Sequence, residues 1–203
     1  LQTRHTTRIC WASEYFEDPL FGIGNGYGYY THERMMRKYT GEIADIDNYS
    51  PVAVHIQTAD KFKYIEGKKN YLFSMFEAEQ LPATYIKGIN EADHLIVPCK
   101  HNKRLFEKYT DKPVDVCHEG VETDIFTVID RRFKIPFRFL WIGAPNKRKG
   151  WEELMTAWKM GGFDRAGDVE LYIKTTLGDL YERKGNVIFD SRDMGTPALV
   201  DLY

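Results

Sequence analysis

Short apolar runs alternate with amphipathic stretches along this chain. RICWAS (8–13), VAVHIQ (52–57), YLFSMF (71–76) and HLIVPC (94–99) are bounded by polar residues and have the length of buried strands. VDVCHEGV (114–121) closes that series. Between the runs, YYTHERMMRKYT carries Tyr30, Met35, Met36 and Tyr39 at near-helical spacing, with Gly41 able to stop the helix. LPATYIKGINEA places Pro82 in a first helical turn and Tyr85, Ile86 and Ile89 on one side, and KHNKRLFEKYT predicts a further helix. EDPLFGIGNGYG is a glycine-rich loop after the first strand, and KFKYIEGKK is charged and turn-like. The order of strands and helices predicts a parallel sheet covered on both faces.

A charged, punctuated segment, TVIDRRFKIP (127–136), interrupts the pattern before it restarts. FRFLWIG (137–143), a helix at 151–160, LYIK (171–174) and NVIFDS (186–191) form a second α/β series. The expected domains are therefore 1–130 and 131–203. The second has three candidate strands, and its last helix, TPALVDLY, has no strand after it, so this part is expected to be the start of a longer domain. Trp151 and Trp158 lie seven residues apart on one helix face and are expected to pack beneath the second sheet.

Composition narrows the class. Of the 203 residues 43% are hydrophobic and 29% charged, enough apolar material for a packed core and too much for a disordered polyelectrolyte. A net charge of −2 gives no global basic field, so a nucleic-acid partner is not expected. No apolar run reaches the roughly 18 residues of a membrane span, and LQTRHTTRICWAS lacks the apolar stretch of a signal peptide. Cys10, Cys99 and Cys117 are odd in number and far apart, which suits a reducing, cytoplasmic setting. His5, His32, His94 and His101 have no ligand-like spacing, and no metal is expected.

Three consecutive cations, Lys147, Arg148 and Lys149, stand where the helix at 151–160 begins. A helix N-terminus carries partial positive charge and free N–H groups, so cations are unfavourable there unless an anion is shared. Phosphate fits that description, with forked donors from arginine and a compact charge from lysine; a solvated basic turn is the other reading. Gly22, Gly24, Gly26 and Gly28 permit close backbone approach to a ligand, although their spacing is not GxGxxG. His55 lies near the carboxyl end of a strand, where open α/β sheets bind ligands, or it is a satisfied core group. Glu77 and Glu79 follow another strand end and either meet a ligand or cap the next helix. Lys174 ends LYIK and could add charge to a pocket. Lys100, Lys103, Arg104 and Lys108 form a basic face suited to peripheral membrane contact or to solvent.

Four segments, taken in order, resemble the retaining glycosyltransferases of family 4, two-domain enzymes of the GT-B fold. FRFLWIG ends in Gly143, and Arg148, Lys149 and Gly150 open WEELMTAW, similar to the strand, RKG triplet and helix that start the family's C-terminal domain. HEGVETDIF (118–126) is similar to the Asn-Gly-Val-Asp segment that closes the N-terminal domain. MFEAEQLPATYIKGINEADHLIVPCKHNKRLFEK looks like the run with Phe-Glu on a strand, a helix after Leu-Pro and an Ala-Asp pair before a strand ending in Pro-Cys or Pro-Ser. GNGYGYYTHERMM is similar to the glycine loop and first helix.

The resemblance implies two Rossmann-like doubly wound domains of GT-B type, the first on the acceptor side and the second, incomplete, for a nucleotide sugar. It implies sugar transfer from a nucleotide-diphosphate donor to a hydroxyl of a glycan, lipid or small molecule, with retention and with no metal or other cofactor. Stabilising the leaving diphosphate is then the main task. Arg148 and Lys149, with Gly26 and Gly28, would meet the diphosphate; Gly143 and Lys174 would line the donor pocket; His55 and Glu77 would be catalytic. Ala144 and Pro145 stand where many members have arginine after the glycine, leaving Lys147 as a substitute, and His118 and Glu119 replace a common Pro-Asn. The family's acidic pair, expected after a helix like TPALVDLY, is not in the sequence, so the chain alone is expected to be inactive. A non-catalytic nucleotide- or glycan-binding homologue of the same fold is the alternative.

Overall fold

A computed structural model describes residues 9–12, 27–39, 50–128, 135–175 and 178–203. The chain divides into two compact units, Leu1–Gly120 and Val121–Tyr203. The division falls ten residues before the boundary expected from the punctuated segment, part of which (129–134) lies outside the described residues.

Unit 1 is a five-stranded parallel sheet in the order β1 (Cys10–Trp11), β2 (Val52–Ile56), β3 (Lys69–Phe73), β4 (His94–Val97), β5 (Val114–Val116). Helix α1 (Tyr27–Tyr39) packs on one face with Trp11, Ile56 and Phe73; α2 (Ala83–Glu91) and α3 (Lys100–Phe106) pack on the other with Leu72, Leu95, Val97 and Val114. The side-chain period of two along each strand sorts Leu72 from Phe73 and Leu95 from Ile96 onto opposite faces. Helices on both faces match the sequence expectation. Among the described strands the order advances without reversal, so they contain no point at which the winding changes direction.

The third strand starts two residues earlier than its apolar run suggests and ends at Phe73. Asn70 enters the sheet fully buried because its amide finds partners there, while Met75 and Phe76 leave it. Helix α1 also turns differently from its reading. Tyr39 is 65% exposed, and the inward stripe is Tyr29, His32, Glu33 and Met36, spaced i, i+3, i+4, i+7.

In α2, Gly88 is a packing requirement. A β-carbon built there would lie 1.8 Å from the carbonyl oxygen of Ala59 in the 3-10 turn Ala59–Lys61. Only a residue without a side chain allows this helix so close to that backbone.

Unit 2 is a four-stranded mixed sheet in the order β6 (Phe137–Ile142), β7 (Val169–Lys174), β9 (Val187–Asp190), β8 (Tyr181–Lys184). Helix α4 (Trp151–Met160) covers one face, where Trp158, Leu171, Ile173 and Val187 form the core with Trp141 and Trp151 against it. Trp158 is 5% exposed, as its expected core role requires. The sequence indicated three strands here; β8 is the fourth. It pairs antiparallel with β9 through the two-residue turn Gly185–Asn186, and Gly185 has φ 61°, the left-handed region such turns use. Helix α5 (Thr196–Val200) follows β9. No helix among the described residues is long and apolar enough to cross a membrane.

Candidate functional site

The carboxyl ends of parallel strands, where loops and helix N-termini converge, are the ligand-binding edge of open α/β sheets. Each unit has such an edge.

In unit 2, β6 ends at Ile142, and the N–H of Gly143 donates to the carbonyl of Lys174 at the end of β7 (3.0 Å). A β-carbon on Gly143 would touch the Trp141 ring at 3.5 Å and Lys149 Cγ at 3.6 Å, ordinary contacts, so packing does not force the glycine. Lys147–Lys149 form a 3-10 turn capped by Asn146, whose Oδ1 accepts from the Lys149 N–H at 3.2 Å. Gly150, at φ 66°, then turns the chain into α4. All three cations are exposed. Glu152 and Glu153 occupy the first turn of α4 and supply the negative charge its N-terminus favours. The cations therefore need no ligand to be tolerated there, contrary to the expectation from their position alone.

Lys174 is different. It is 6% exposed, and its Nζ donates to the carbonyls of Thr175 and Arg192, both at 2.7 Å. Two of its three donors are thereby used, and no carboxylate among the described residues pairs with it. The nearest acid in the register, Asp190, is already saturated: Tyr172 Oη donates to its Oδ2 at 2.5 Å, and Arg192 donates from Nε and a terminal nitrogen at 3.0 and 2.7 Å. Beside Lys174, Thr175 Oγ1 is sealed from solvent without a partner. A nearly buried ammonium held by carbonyls alone is costly, since mutual attraction offsets desolvation only when an opposite charge is present.

The Asp190 pair has a testable consequence. Hydrogen bonds from Arg192 hold its carboxyl down to about 2, below the ordinary 3.8, while burial and then the same carboxylate push Tyr172 up to about 12. A depressed carboxyl stabilises the fold above its unfolded value and loses that contribution as pH falls through its folded value. Urea titrations should show unit 2 weakening between about pH 4 and about pH 2, and Arg192→Gln should flatten that slope.

In unit 1, His55 is 1% exposed on β2. Its Nε2 lies 3.0 Å from Asn70 Oδ1, which also accepts from the Ile65 N–H at 3.0 Å; Asn70 Nδ2 donates to the carbonyls of Ile65 and Lys68 at 3.0 and 2.8 Å. Because the amide's two donors are committed, Oδ1 faces the ring and Nε2 is the donor. Nδ1 makes no hydrogen bond of full geometry, although the Ala12 backbone lies close enough to interact with the ring. Burial pushes the His55 pKa below the ordinary 6.5, outweighing the opposing effects of Asn70 and the Ala12 backbone. The neutral ring is thus fixed in the core, with its one proton spent on a structural amide.

Glu77 is exposed on the segment after β3. That segment is pinned from both faces of the sheet. Tyr85 Oη of α2 donates to the Met75 carbonyl at 3.2 Å, Tyr29 Oη of α1 reaches the same oxygen at 3.5 Å, and Asn102 Nδ2 of α3 donates to the Phe76 carbonyl at 2.6 Å. Burial pushes the Tyr85 hydroxyl well above its ordinary pKa, keeping it a donor. Glu79 lines an open 560 Å³ groove with His101, Arg104 and Lys108. Lys103 turns away from it to the Val114 carbonyl at 2.6 Å and Glu107. Gly28 lies in the first turn of α1, and Gly26 falls outside the described residues.

One pair at this edge escaped the sequence reading. His32 Nδ1 of α1 lies 3.2 Å from Glu119 Oε1, beyond the end of β5, at ion-pair separation without full hydrogen-bond alignment. The imidazole meets the Phe73 ring edge-on, with centroids 4.5 Å apart. Its signal in the sequence was the polar pair His32–Glu33 inside the inward stripe of α1. Gly143 thus bonds the Lys174 backbone and adjoins Lys149 within unit 2, while the Lys174 side chain leaves β7 on the face opposite Ile173 and α4; His55 and Glu77 are separate features of unit 1. Among the described residues no three His, Cys, Asp or Glu side chains gather as metal ligands would. Compared with known families and characterised proteins, the chain matches no family model and no curated protein.

Proposed function

We propose that the protein binds a nucleotide-diphosphate sugar at the carboxyl edge of the second sheet and transfers the sugar, with retention, to an acceptor hydroxyl. The observation that carries this reading is the nearly buried Lys174 ammonium, held by two carbonyls and lacking a counter-charge, beside the unpartnered Thr175 hydroxyl. An anion placed there satisfies both groups. The basic turn Lys147–Lys149 lies on the same edge, through Gly143 and its bond to the end of β7. A diphosphate lying across the sheet edge, from the Lys174 face to Arg148–Lys149 on the α4 face, would have its negative charge neutralised as the bond to the anomeric carbon breaks, the contribution such chemistry most needs. His55 takes a structural part.

Lys174→Met provides the test, because it predicts opposite changes in binding and stability. Calorimetry with UDP and GDP should show affinity at least about tenfold weaker than wild type, since a desolvated charge partner is lost. The same variant should be no less stable, because an uncompensated buried cation has been replaced by an apolar chain of similar length. Unchanged nucleotide affinity in Lys174→Met, or no affinity in the wild type, removes the reading.

A further inference from the structure

Unit 1 carries the open groove of 560 Å³ between the segment that joins β3 to α2 and the outward side of α3. Buried Leu105 and half-buried Tyr109 supply its apolar surface. His101 and Arg104, one turn apart on α3, and Lys108, in the turn after the helix, line it from one side, and Glu79 lines it from the other. Both sides are fixed to one frame: Asn102 Nδ2 of α3 donates to the Phe76 carbonyl at 2.6 Å, and Asn90 Nδ2 of α2 donates to the Tyr109 carbonyl at 3.0 Å. Charge sets the groove apart. Other lysines of these helices pair i, i+4 with carboxylates, Lys87 with Glu91 at 3.7 Å and Lys103 with Glu107 at 3.6 Å. Arg104 and Lys108, also four apart, are like charges lining one groove, and like charges at that spacing cost stability unless an anion is shared. Among the described residues no carboxylate pairs with either, and Glu79 forms no ion pair across the gap.

We infer that this groove binds a small soluble polyol carrying a phosphate. Arg104 offers forked donors and Lys108 a compact charge, and one phosphate shared between them turns their repulsion into attraction. His101 adds a ring nitrogen on the same side. Glu79 repels phosphate but accepts hydrogen bonds from hydroxyls, so the ligand that suits both sides is anionic at one end and hydroxylated at the other. The volume lies within the range of small-molecule sites and exceeds what a bare ion needs. A membrane surface fits poorly. The apolar side of α3 is spent on the core through Leu105 and Phe106, and none of the exposed large apolar side chains among the described residues lies on α2, α3 or the segment before α2. All the lining residues belong to unit 1, so the site stands whether or not unit 2 handles a nucleotide.

Calorimetry on the whole chain with glucose phosphate, glycerol phosphate, inorganic phosphate and glucose tests the site. At least one ester should bind about tenfold tighter than inorganic phosphate, and glucose should show no binding, since charge and hydroxyls are both required. Arg104→Gln combined with Lys108→Gln should weaken that ester at least about tenfold. Both positions are exposed, so the fold should persist, as far-UV circular dichroism can check. Lys87→Gln, which removes a cation paired on α2, should stay within twofold of wild type. Glu79→Gln gives a second readout: it should narrow the gap between ester and inorganic phosphate, because a hydroxyl acceptor and a charge that repels phosphate leave together. Vesicles of phosphatidylcholine containing phosphatidic acid form the lipid arm. Capture by those vesicles without ester binding would assign the cations to a headgroup and overturn the soluble class. Overturning too are no ester binding at millimolar concentration, an ester that binds no tighter than inorganic phosphate, or ester affinity in the double variant within twofold of wild type.

Discussion

Gly88→Val is expected to abolish cooperative folding of unit 1. The new side chain starts from a β-carbon 1.8 Å from the Ala59 carbonyl oxygen and 2.6 Å from its carbon, separations no relaxed structure holds. Neither neighbour can yield cheaply. The obstacle is backbone, the 3-10 turn around Ala59 is tied by the Lys61 and Phe62 N–H groups to the Thr58 and Ala59 carbonyls, and α2 is anchored by Tyr85 and Ile89 in the core. Overpacking a well-filled site costs about 1–3 kcal/mol, and a clash with fixed backbone lies at or above the top of that range. Gly67 is the control. At φ 77° with nothing within 4 Å of its β-carbon, Gly67→Ala meets only the left-handed backbone penalty, about 1 kcal/mol. Urea unfolding followed by far-UV circular dichroism compares the two. If Gly88→Val and Gly67→Ala cost the same, the close approach of α2 to the turn is not what the fold depends on.

Asn70→Ala is the second large effect. It deletes four side-chain hydrogen bonds at once and leaves His55 Nε2–H and the Ile65 N–H without acceptors in a site from which water is excluded. Unsatisfied buried donors cost about 1–3 kcal/mol each, so a loss of about 3–5 kcal/mol is expected. Removing both ends of the central bond should be milder than the sum. In a double-mutant cycle His55→Phe with Asn70→Ala should recover about 1 kcal/mol or more relative to additivity, because the stranded imidazole donor is gone. Strict additivity would mean that the ring and the amide are not coupled as the geometry requires.

Much of this fold is legible in the sequence because its strands and helices announce themselves by period. The apolar runs 52–57, 94–99 and 137–143 became strands ending at Ile56, Val97 and Ile142, and Trp158 went to the core as its helix face demanded. What stayed hidden was polar. Strand β8, Tyr181–Lys184, has no apolar alternation, since an edge strand needs none and charge there discourages unwanted pairing. Its one signal was the Gly185–Asn186 turn. Asn70 and Lys174 were hard to place for a related reason: burial of a polar group depends on partners distant in sequence, such as Ile65 and Arg192, which no local period encodes. At the candidate sites the residue types for anion contact were visible, but their company was not. Glu152 and Glu153 offset the helix end beside the basic turn, His55 proved to be locked to an amide, and His32 acquired Glu119 from 87 positions away in the chain.

The pinned segment after β3 has one more implication. Met75 and Phe76 offer adjacent carbonyls, and these are gripped by Tyr29 from one side of the sheet and by Tyr85 and Asn102 from the other. The two carbonyls work as a rivet through the layer, joining α1 on one face to α2 and α3 on the other. A molecule tugging on Glu77 would load that rivet directly, and the strain would arrive on both faces together instead of dying out in a floppy connection.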